Sequence, residues 1–421
     1  MKISKLHIDS FRHLENLEFD FTYQSGERKG EPLDKICFIG QSATGKTSLL
    51  ELINKDINGF FKTELDDVGD IWIRSHKFDS NFKLINNNQS FEYDNGVISK
   101  NDKSLSFSKK SASFIQYLFE KTDRIFHITS DILSNQNIKL FEEETVLLIE
   151  RFKTLSKERE LENEYSRLTF DHQVEEEVWI SLLKQNVKYL QDFLQFATEL
   201  INSGSVLDNS SQKKVDDWKS KNSNPLTDFS EKFDVILNKV QLEVDLVNTK
   251  NIIPLKHKIT GENIPIKNIS TGTKQLLLTA FPLFKLETNN SIILIDEPER
   301  SLYPDMQMDL MDYYKNLAPE AQFIVSTHSP FIAASFEPDE RFILYFDEEG
   351  KVAVRRGTSP IGDDPNDMLY NDFGIDYINK YGKKVYNEYL EKRRQLLFEE
   401  NEEVKKKLQD EIESIGDKYN F

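Results

Sequence analysis

Gly40-Gln41-Ser42-Ala43-Thr44-Gly45-Lys46-Thr47 matches the spacing G-x-x-x-x-G-K-[ST]. The short apolar run Lys35 to Ile39 enters it, and Thr47 to Ile57 leaves it with Leu49, Leu50, Leu52 and Ile53 at helical spacing. A glycine loop between a strand and a helix presents backbone N–H groups and the positive end of the helix to an anion, so the expected ligand is a phosphate chain. Gly40, Gln41, Ser42, Ala43, Thr44 and Gly45 would form the cradle, and Ser48, at the start of the helix, is also expected to bind the nucleotide. Lys46 would reach the β- and γ-phosphates, and the Thr47 hydroxyl would enter a Mg²⁺ shell.

Some 250 residues on, Ser291-Ile292-Ile293-Leu294-Ile295-Asp296-Glu297-Pro298 is an apolar strand ending in two carboxylates, the form of a Walker B strand. Asp296 is expected to hold Mg²⁺ through its water shell, and Glu297 to polarise the attacking water. Neighbouring residues of an extended chain point to opposite faces, so the strand must end near Asp296 if both are to serve one site.

Three further segments have their own spacing. Ile269-Ser270-Thr271-Gly272-Thr273-Lys274-Gln275 precedes the Walker B strand and opens a helix. Ser301-Leu302-Tyr303-Pro304-Asp305 follows the strand, and Phe323 to Val325 runs into Ser326-Thr327-His328-Ser329-Pro330. They resemble the L-S-x-G-x-x-Q signature, the D-loop (with Tyr for the more usual His) and the H-loop of ABC-type ATPases. That resemblance implies that Ser270 and the Gly272 amide face the γ-phosphate held by a partner subunit, so a homodimer is required. It also implies that His328 approaches the γ-phosphate and the attacking water. Asp9-Ser10-Phe11-Arg12-His13-Leu14 is similar to the N-F-R segment of RecF-like and SMC-like ATPases, making Arg12 a candidate phosphate or ribose contact, with a surface ion pair as the plain alternative. No glutamine falls in His127-Ile128-Thr129-Ser130-Asp131, where the family places its Q-loop; Gln116 and Gln136 flank it.

Around these motifs the chain divides. Residues 1–22 alternate as a strand hairpin, and short strand-like pieces between Glu64 and Lys109, including Trp72-Ile73 and Phe91-Glu92-Tyr93, predict an antiparallel flank. A helix is expected from Ala112 to Lys121, a strand from Arg124 to Ile128, and strands again around Ile252 to Ile266. The expected divisions are an N-terminal lobe over 1–140, a helical insertion over 141–247 broken by polar residues Ser203 to Asn224, a C-terminal lobe over 248–345, and a partly helical extension over 346–421. Val385, Tyr389, Leu396, Val404, Leu408 and Ile412 give the last segment an amphipathic stripe, suited to packing on its own domain or docking a partner.

The 421 residues carry 72 acidic and 54 basic side chains, a net charge of −18 that opposes broad contact with nucleic-acid backbones and leaves a partner or a local groove for such contact. Cys37 is the only cysteine, which excludes intrachain disulfides and cysteine metal clusters and fits a reducing compartment. No run of 18 apolar residues and no signal-like N-terminus occurs, so a cytoplasmic protein without membrane contact is expected.

Taken together, the motifs resemble the RecF/SMC-related ABC ATPases (AAA family, OLD-related) of bacterial anti-phage systems, most nearly the PtuA type of Septu and retron systems. Residues 1–60 and 260–335 carry the resemblance, and Gly357 to Leu369 is similar to a G-x-D-x-N-D-[IM]-L segment of that group. The implied fold is α/β: an ABC-type P-loop ATPase head, a mixed sheet with an antiparallel flank, with a helical insertion and a helical C-terminal tail. The implied activity is ATP hydrolysis with Mg²⁺ in a homodimer, or an oligomer of dimers, that regulates an HNH nuclease of the PtuB type. Asp363, Asp364 and Asp367 read as a polar turn or, alternatively, as a metal-dependent nuclease site. A RecF-like repair ATPase with no nuclease partner stays open, as does a truncated OLD-type nuclease, although the 93 residues after His328 show no convincing Toprim-like acidic arrangement. A transporter ATPase subunit fits less well, since such subunits are generally shorter and lack the N-terminal F-R hairpin and the long insertion.

Overall fold

The computed structural model describes the chain except residues 62–77, 87–88, 96, 105–123, 156–166, 204–209, 361–364, 376–379, 400 and 420–421. The expected helix Ala112 to Lys121, the Trp72-Ile73 piece and the Asp363-Asp364 pair lie outside the described residues. The chain forms two compact units, residues 1–362 and 363–421.

The N-terminal hairpin consists of β1 (Lys2–Phe11) and β2 (Leu14–Asp20). Its apolar spacing, Ile3 then Leu6 then Ile8, is out of step by one residue because a bulge between Ile3 and Lys5 shifts the register and keeps all three buried. After β3 (Lys35–Gly40) and helix α1 (Lys46–Phe61), the strands β4 (Ser80–Asn86), β5 (Gln89–Asp94), β6 (Val97–Lys100) and β7 (Lys103–Ser104) extend the hairpin. They form a six-stranded antiparallel sheet in the order β2-β1-β4-β5-β6-β7.

β3 belongs to a second sheet, built with β8 (Arg124–Ile128), β9 (Arg167–Phe170), β12 (Ser291–Asp296), β13 (Gln322–Thr327), β14 (Arg341–Phe346) and β15 (Val352–Arg356), in the order β15-β14-β3-β13-β12-β8-β9. All its pairings are parallel except β14 with β15. Every residue of β12 and β13 is buried, which is why their central residues, Ile292 to Ile295 and Phe323 to Val325, read as apolar runs without alternation. α1 packs across β3, β13, β12 and β8. The two sheets meet through Phe19, Phe21, Phe38 and Phe342, whose rings lie 5.1–6.1 Å apart. Buried Gln322 adds a polar tie: it accepts from Ile3 N at 2.8 Å and donates to the Ile3 and Leu33 carbonyls at 3.0 and 2.8 Å.

The stretch 141–247 differs from a purely helical insertion. Helices α2 (Asn135–Glu142), α3 (Thr145–Leu155), α4 (Glu176–Asn202), α5 (Ser210–Lys221) and α6 (Pro225–Leu237) are present, but β9 lies among them as the edge strand of the parallel sheet, and β10 (Leu242–Val244) pairs with β11 (Leu255–His257). The polar stretch Ser203 to Asn224 contains α5 and is not an interruption throughout; Trp218 anchors that helix on Tyr189, Phe193 and Phe196 of α4 at 5.4–5.5 Å. Between Ile252 and Ile266 only the three residues of β11 are strand, because a turn at 258–260 and a 3₁₀ turn from Ile266 take the rest. Phe141, Phe229 and Phe281 join this region to helix α7 (Thr271–Lys285), which follows the signature-like segment.

Helices α8 (Pro304–Met308), α9 (Leu310–Leu317) and α10 (Pro330–Ala333) complete the first unit. It reaches past residue 345, since β15 folds back through the Asp347 to Gly350 turn to pair with β14. The second unit consists of α11 (Pro365–Asn371), which holds Asp367, and the helices α12 (Lys380–Phe398) and α13 (Glu402–Tyr419), which pair with each other. Among the described residues no helix is long and apolar enough to cross a membrane.

Candidate functional site

The loop from Gly40 to Thr47 lies where β3, in the middle of the parallel sheet, ends and α1 begins. Gly40 cannot carry a side chain there: a Cβ would lie 2.3 Å from the Leu344 carbonyl oxygen. Ala43 and Gly45 take left-handed backbone, with φ of 68° and 92°. A Cβ on Gly45 would also come within 2.8 Å of the His13 ring, so His13 of the N-terminal hairpin covers this glycine, a contact sequence reading missed. Gln41, Ser42 and Ala43 are exposed, while Thr44 is buried and donates from its hydroxyl to the Gln41 carbonyl at 2.8 Å. Lys46 is 6% exposed and donates to the Gly40 and Gln41 carbonyls at 2.9 and 3.0 Å. Burial lowers its pKa, and Glu297, Asp296 and Glu299 act in the opposite direction.

The two distant motifs meet. Thr47 Oγ1 lies 3.1 Å from both carboxylate oxygens of Asp296, and Ser326 also donates to Asp296. β12 stops at Asp296, and Glu297 turns into left-handed backbone with φ of 49° while its N–H donates to the Ser326 carbonyl at 3.0 Å. This turn lets consecutive carboxylates serve one site. Glu297 Oε1 lies 3.7 Å from His328 Nε2, and burial followed by the charge of Lys46 lowers the His328 pKa. Lys46, Thr47, Asp296, Glu297 and His328 therefore gather at the ends of β3, β12 and β13.

A hydroxyl beside one carboxylate suits Mg²⁺, which binds through one or two protein oxygens when phosphates and water supply the others. Among the described residues no trio of His, Cys, Asp and Glu forms an all-protein metal cage, so a metal here depends on such outside oxygens. Buried Nε2 of His127, on the strand beside β12, has no hydrogen-bond partner, which marks a polar position on this side of the sheet.

Arg12 has left-handed backbone, donates to Ser48 Oγ at 2.9 Å and pairs with Glu51 at 2.6 Å, so it sits beside the start of α1 in an ion pair. Ser270 caps α7, accepting from Thr273 N at 3.2 Å, and no hydrogen bond or ion pair joins it to Gly40–Thr47 among the described residues. Gly272 packs on its own chain, where a Cβ would lie 2.2 Å from the Ser301 carbonyl oxygen. That contact couples the signature-like helix to the loop after β12. Gln136, one of the two flanking glutamines, donates to the Val174 carbonyl at 3.4 Å, and Gln116 lies outside the described residues.

Glu299 was not foreseen. Its Oε1 accepts from the His328 N–H at 2.8 Å, its Oε2 is buried without a hydrogen-bond partner, and burial raises its pKa. Arg300 donates to the Ser130 carbonyl at 2.7 Å, tying the same turn to the segment after β8. Ser329 donates to Gln307 Oε1 at 2.6 Å, and Gln307 donates to the Leu302 carbonyl at 2.7 Å, which links the H-loop-like and D-loop-like segments.

A family profile described as an AAA ATPase domain matches residues 1–333. Local similarity extends to the Septu protein PtuA of Bacillus thuringiensis, 35% identical over 72 residues, covering 17% of this chain and 18% of that one. It extends also to the Retron Vc95 probable ATPase of Vibrio cholerae serotype O1 biovar El Tor, 30% identical over 121 residues, covering 26% of this chain and 23% of that one. The chain thus spans about a fifth of the length of the curated relatives it matches. Among solved structures, the SMC head domain from Thermotoga maritima covers 85% of this chain and 100% of its own at 11% identity and a TM-score of 0.39. The Smc head domain bound to the C-terminal domain of ScpA from Pyrococcus furiosus covers 84% and 96% at 16% identity and a TM-score of 0.36.

Proposed function

Because the chain belongs to the AAA ATPase domain family, we propose that it binds ATP with Mg²⁺ and hydrolyses it in a homodimer serving an anti-phage defence complex. The observation that carries the reading is the pairing of Thr47 with Asp296 across 249 residues, with Lys46, Glu297 and His328 around it. Lys46 supplies the positive charge for the β- and γ-phosphates, within a loop whose N–H groups and helix terminus favour anions. Thr47 and Asp296 would hold Mg²⁺, which when bound would offset the phosphate charge. Glu297 takes the proton of the attacking water, and His328 orients that water or the terminal phosphate. Arg12 reaches a phosphate or the ribose by leaving Glu51, while Ser270 and the Gly272 amide contact the γ-phosphate held by the partner subunit.

Similarity to PtuA and to a retron ATPase supports the defence setting, and the family resemblance suggests an HNH nuclease whose cutting follows the nucleotide state. Nucleic acid would then be held by that partner or by a local groove, in keeping with the net charge of −18. The test is co-expression with the neighbouring genes and purification with and without ATP, measuring particle mass, phosphate release and DNA or RNA cleavage. Co-purification of a nuclease whose cleavage follows the nucleotide supports the reading. An ATPase dimer alone would replace the defence role with that of a repair ATPase, and a protein that releases no phosphate would remove the enzymatic reading.

A further inference from the structure

His127 lies on β8 with 3% of its surface exposed, and its Nε2 is buried without a hydrogen-bond partner. A buried polar atom left unpaired is costly, whereas an apolar side chain of similar size at the same place would avoid that cost. Its neighbours on the strand, Ile125, Phe126 and Ile128, are buried apolar residues. The imidazole therefore stands out from the strand that carries it.

Strand register shows what it faces. His127 is level with Leu294 of the parallel neighbour β12, so the two side chains share a face, and Asp296, two residues beyond Leu294, shares it too. α1 covers this face, bringing Thr47 to within 3.1 Å of Asp296 and Glu51 to Arg12. The two acidic side chains whose charges act most on the imidazole are Asp296 and then Glu51. Thr47, Glu51, Asp296 and His127 thus surround one region at the foot of α1.

We propose that His127 is a further residue of the nucleotide-metal site, its Nε2 accepting a hydrogen bond from a water of the Mg²⁺ shell that Thr47 and Asp296 hold. The proposal rests on the Mg-ATP reading above. A metal-bound water is a strong donor, and a neutral imidazole is one of the few side chains that meets it as an acceptor without adding negative charge. Such an outer partner orients the ligands and raises affinity for the ion without touching it.

The test uses the full chain with His127→Phe, which keeps a similar ring volume without the acceptor, and His127→Gln, which keeps an acceptor. Binding of a fluorescent ATP analogue is titrated in Mg²⁺ and in EDTA, with melting temperature recorded in parallel. His127→Phe should lose about tenfold or more of the Mg²⁺-dependent affinity, keep its affinity in EDTA, and melt no lower than the parent. His127→Gln should stay close to the parent in both buffers. Unchanged Mg²⁺ dependence in His127→Phe overturns the proposal, as does equal weakening with and without the metal. If both substitutions weaken Mg²⁺-dependent binding alike, ring packing and not hydrogen bonding matters, and the proposal fails. A parent protein that binds no nucleotide in either buffer overturns the underlying Mg-ATP reading, before His127 enters.

Discussion

Replacing Gly272 with Ala tests whether the signature-like helix and the loop after β12 act as one part. The new Cβ would lie 2.2 Å from the Ser301 carbonyl oxygen, with the Ser301 carbonyl carbon at 2.9 Å. Carbon–oxygen contacts settle at about 3.3–3.6 Å, so the two backbones must separate by about 1 Å. Overpacking of this kind costs about 1–3 kcal/mol, and the helix propensity of Ala over Gly returns at most about 1 kcal/mol. Ser301 has little freedom to absorb the shift, because its own backbone is left-handed at φ 62°. The expected outcome is a net loss of about 1–2 kcal/mol together with a large fall in phosphate release per folded molecule and in ATP-dependent dimer formation. Gly350→Ala is the control: its φ of +78° imposes strain of about 1–2 kcal/mol, but no atom lies within 4 Å. It should lose similar stability and keep its ATPase rate. The measurements are denaturant unfolding, phosphate release and sedimentation with nucleotide. If Gly272→Ala hydrolyses ATP at the parent rate, or if the control loses activity equally, the coupling argued from this contact is wrong.

Glu297→Gln should bind ATP as the parent does and accumulate as a closed dimer, with phosphate release lowered by about 100-fold or more; parent-like turnover would remove Glu297 from the role of base. Glu299→Ala takes away the acceptor of the His328 N–H, so turnover should fall about tenfold or more while nucleotide affinity holds; a loss confined to affinity would contradict this positioning role. Asp56, 1% exposed and hydrogen-bonded by Ser80 and the Asp79 N–H, has its pKa pushed up to about 6 by burial. The folded state therefore holds a proton that the unfolded chain has released, and stability falls as pH rises from about 4 to about 6, a cost of up to about 3 kcal/mol above that range. Asp56→Asn should raise the melting temperature more at pH 7.5 than at pH 4.5, and an equal gain at both would show that ionisation is not the cause.

What the sequence disclosed, and what it concealed, follows how far each interaction reaches along the chain. The loop at Gly40–Thr47 and the strand ending at Asp296 are contiguous patterns, and the requirement that two adjacent carboxylates face one site already demanded the turn now seen as left-handed backbone at Glu297. The ion pair of Arg12 with Glu51 needed the hairpin placed against α1, so the sequence left its two readings open. Glu299 carries no sequence signal of its own, because its acceptor role depends on His328, 29 residues later. β9 escaped notice for a similar reason: four residues, Arg167-Leu168-Thr169-Phe170, become a strand only when β8 supplies the neighbouring ladder. α5 was hidden by its polar composition, since the apolar anchor that fixes it is the single ring of Trp218 and the partners of that ring are on another helix. His127 is the sharpest case. In the sequence it is a polar residue in a short apolar strand, and only the register with Leu294 places its unpaired nitrogen on the face of the sheet that also carries Asp296. Chemistry carried by contiguous residues is therefore legible before folding, whereas residues that steady that chemistry from neighbouring strands become visible only through the sheet that brings them together.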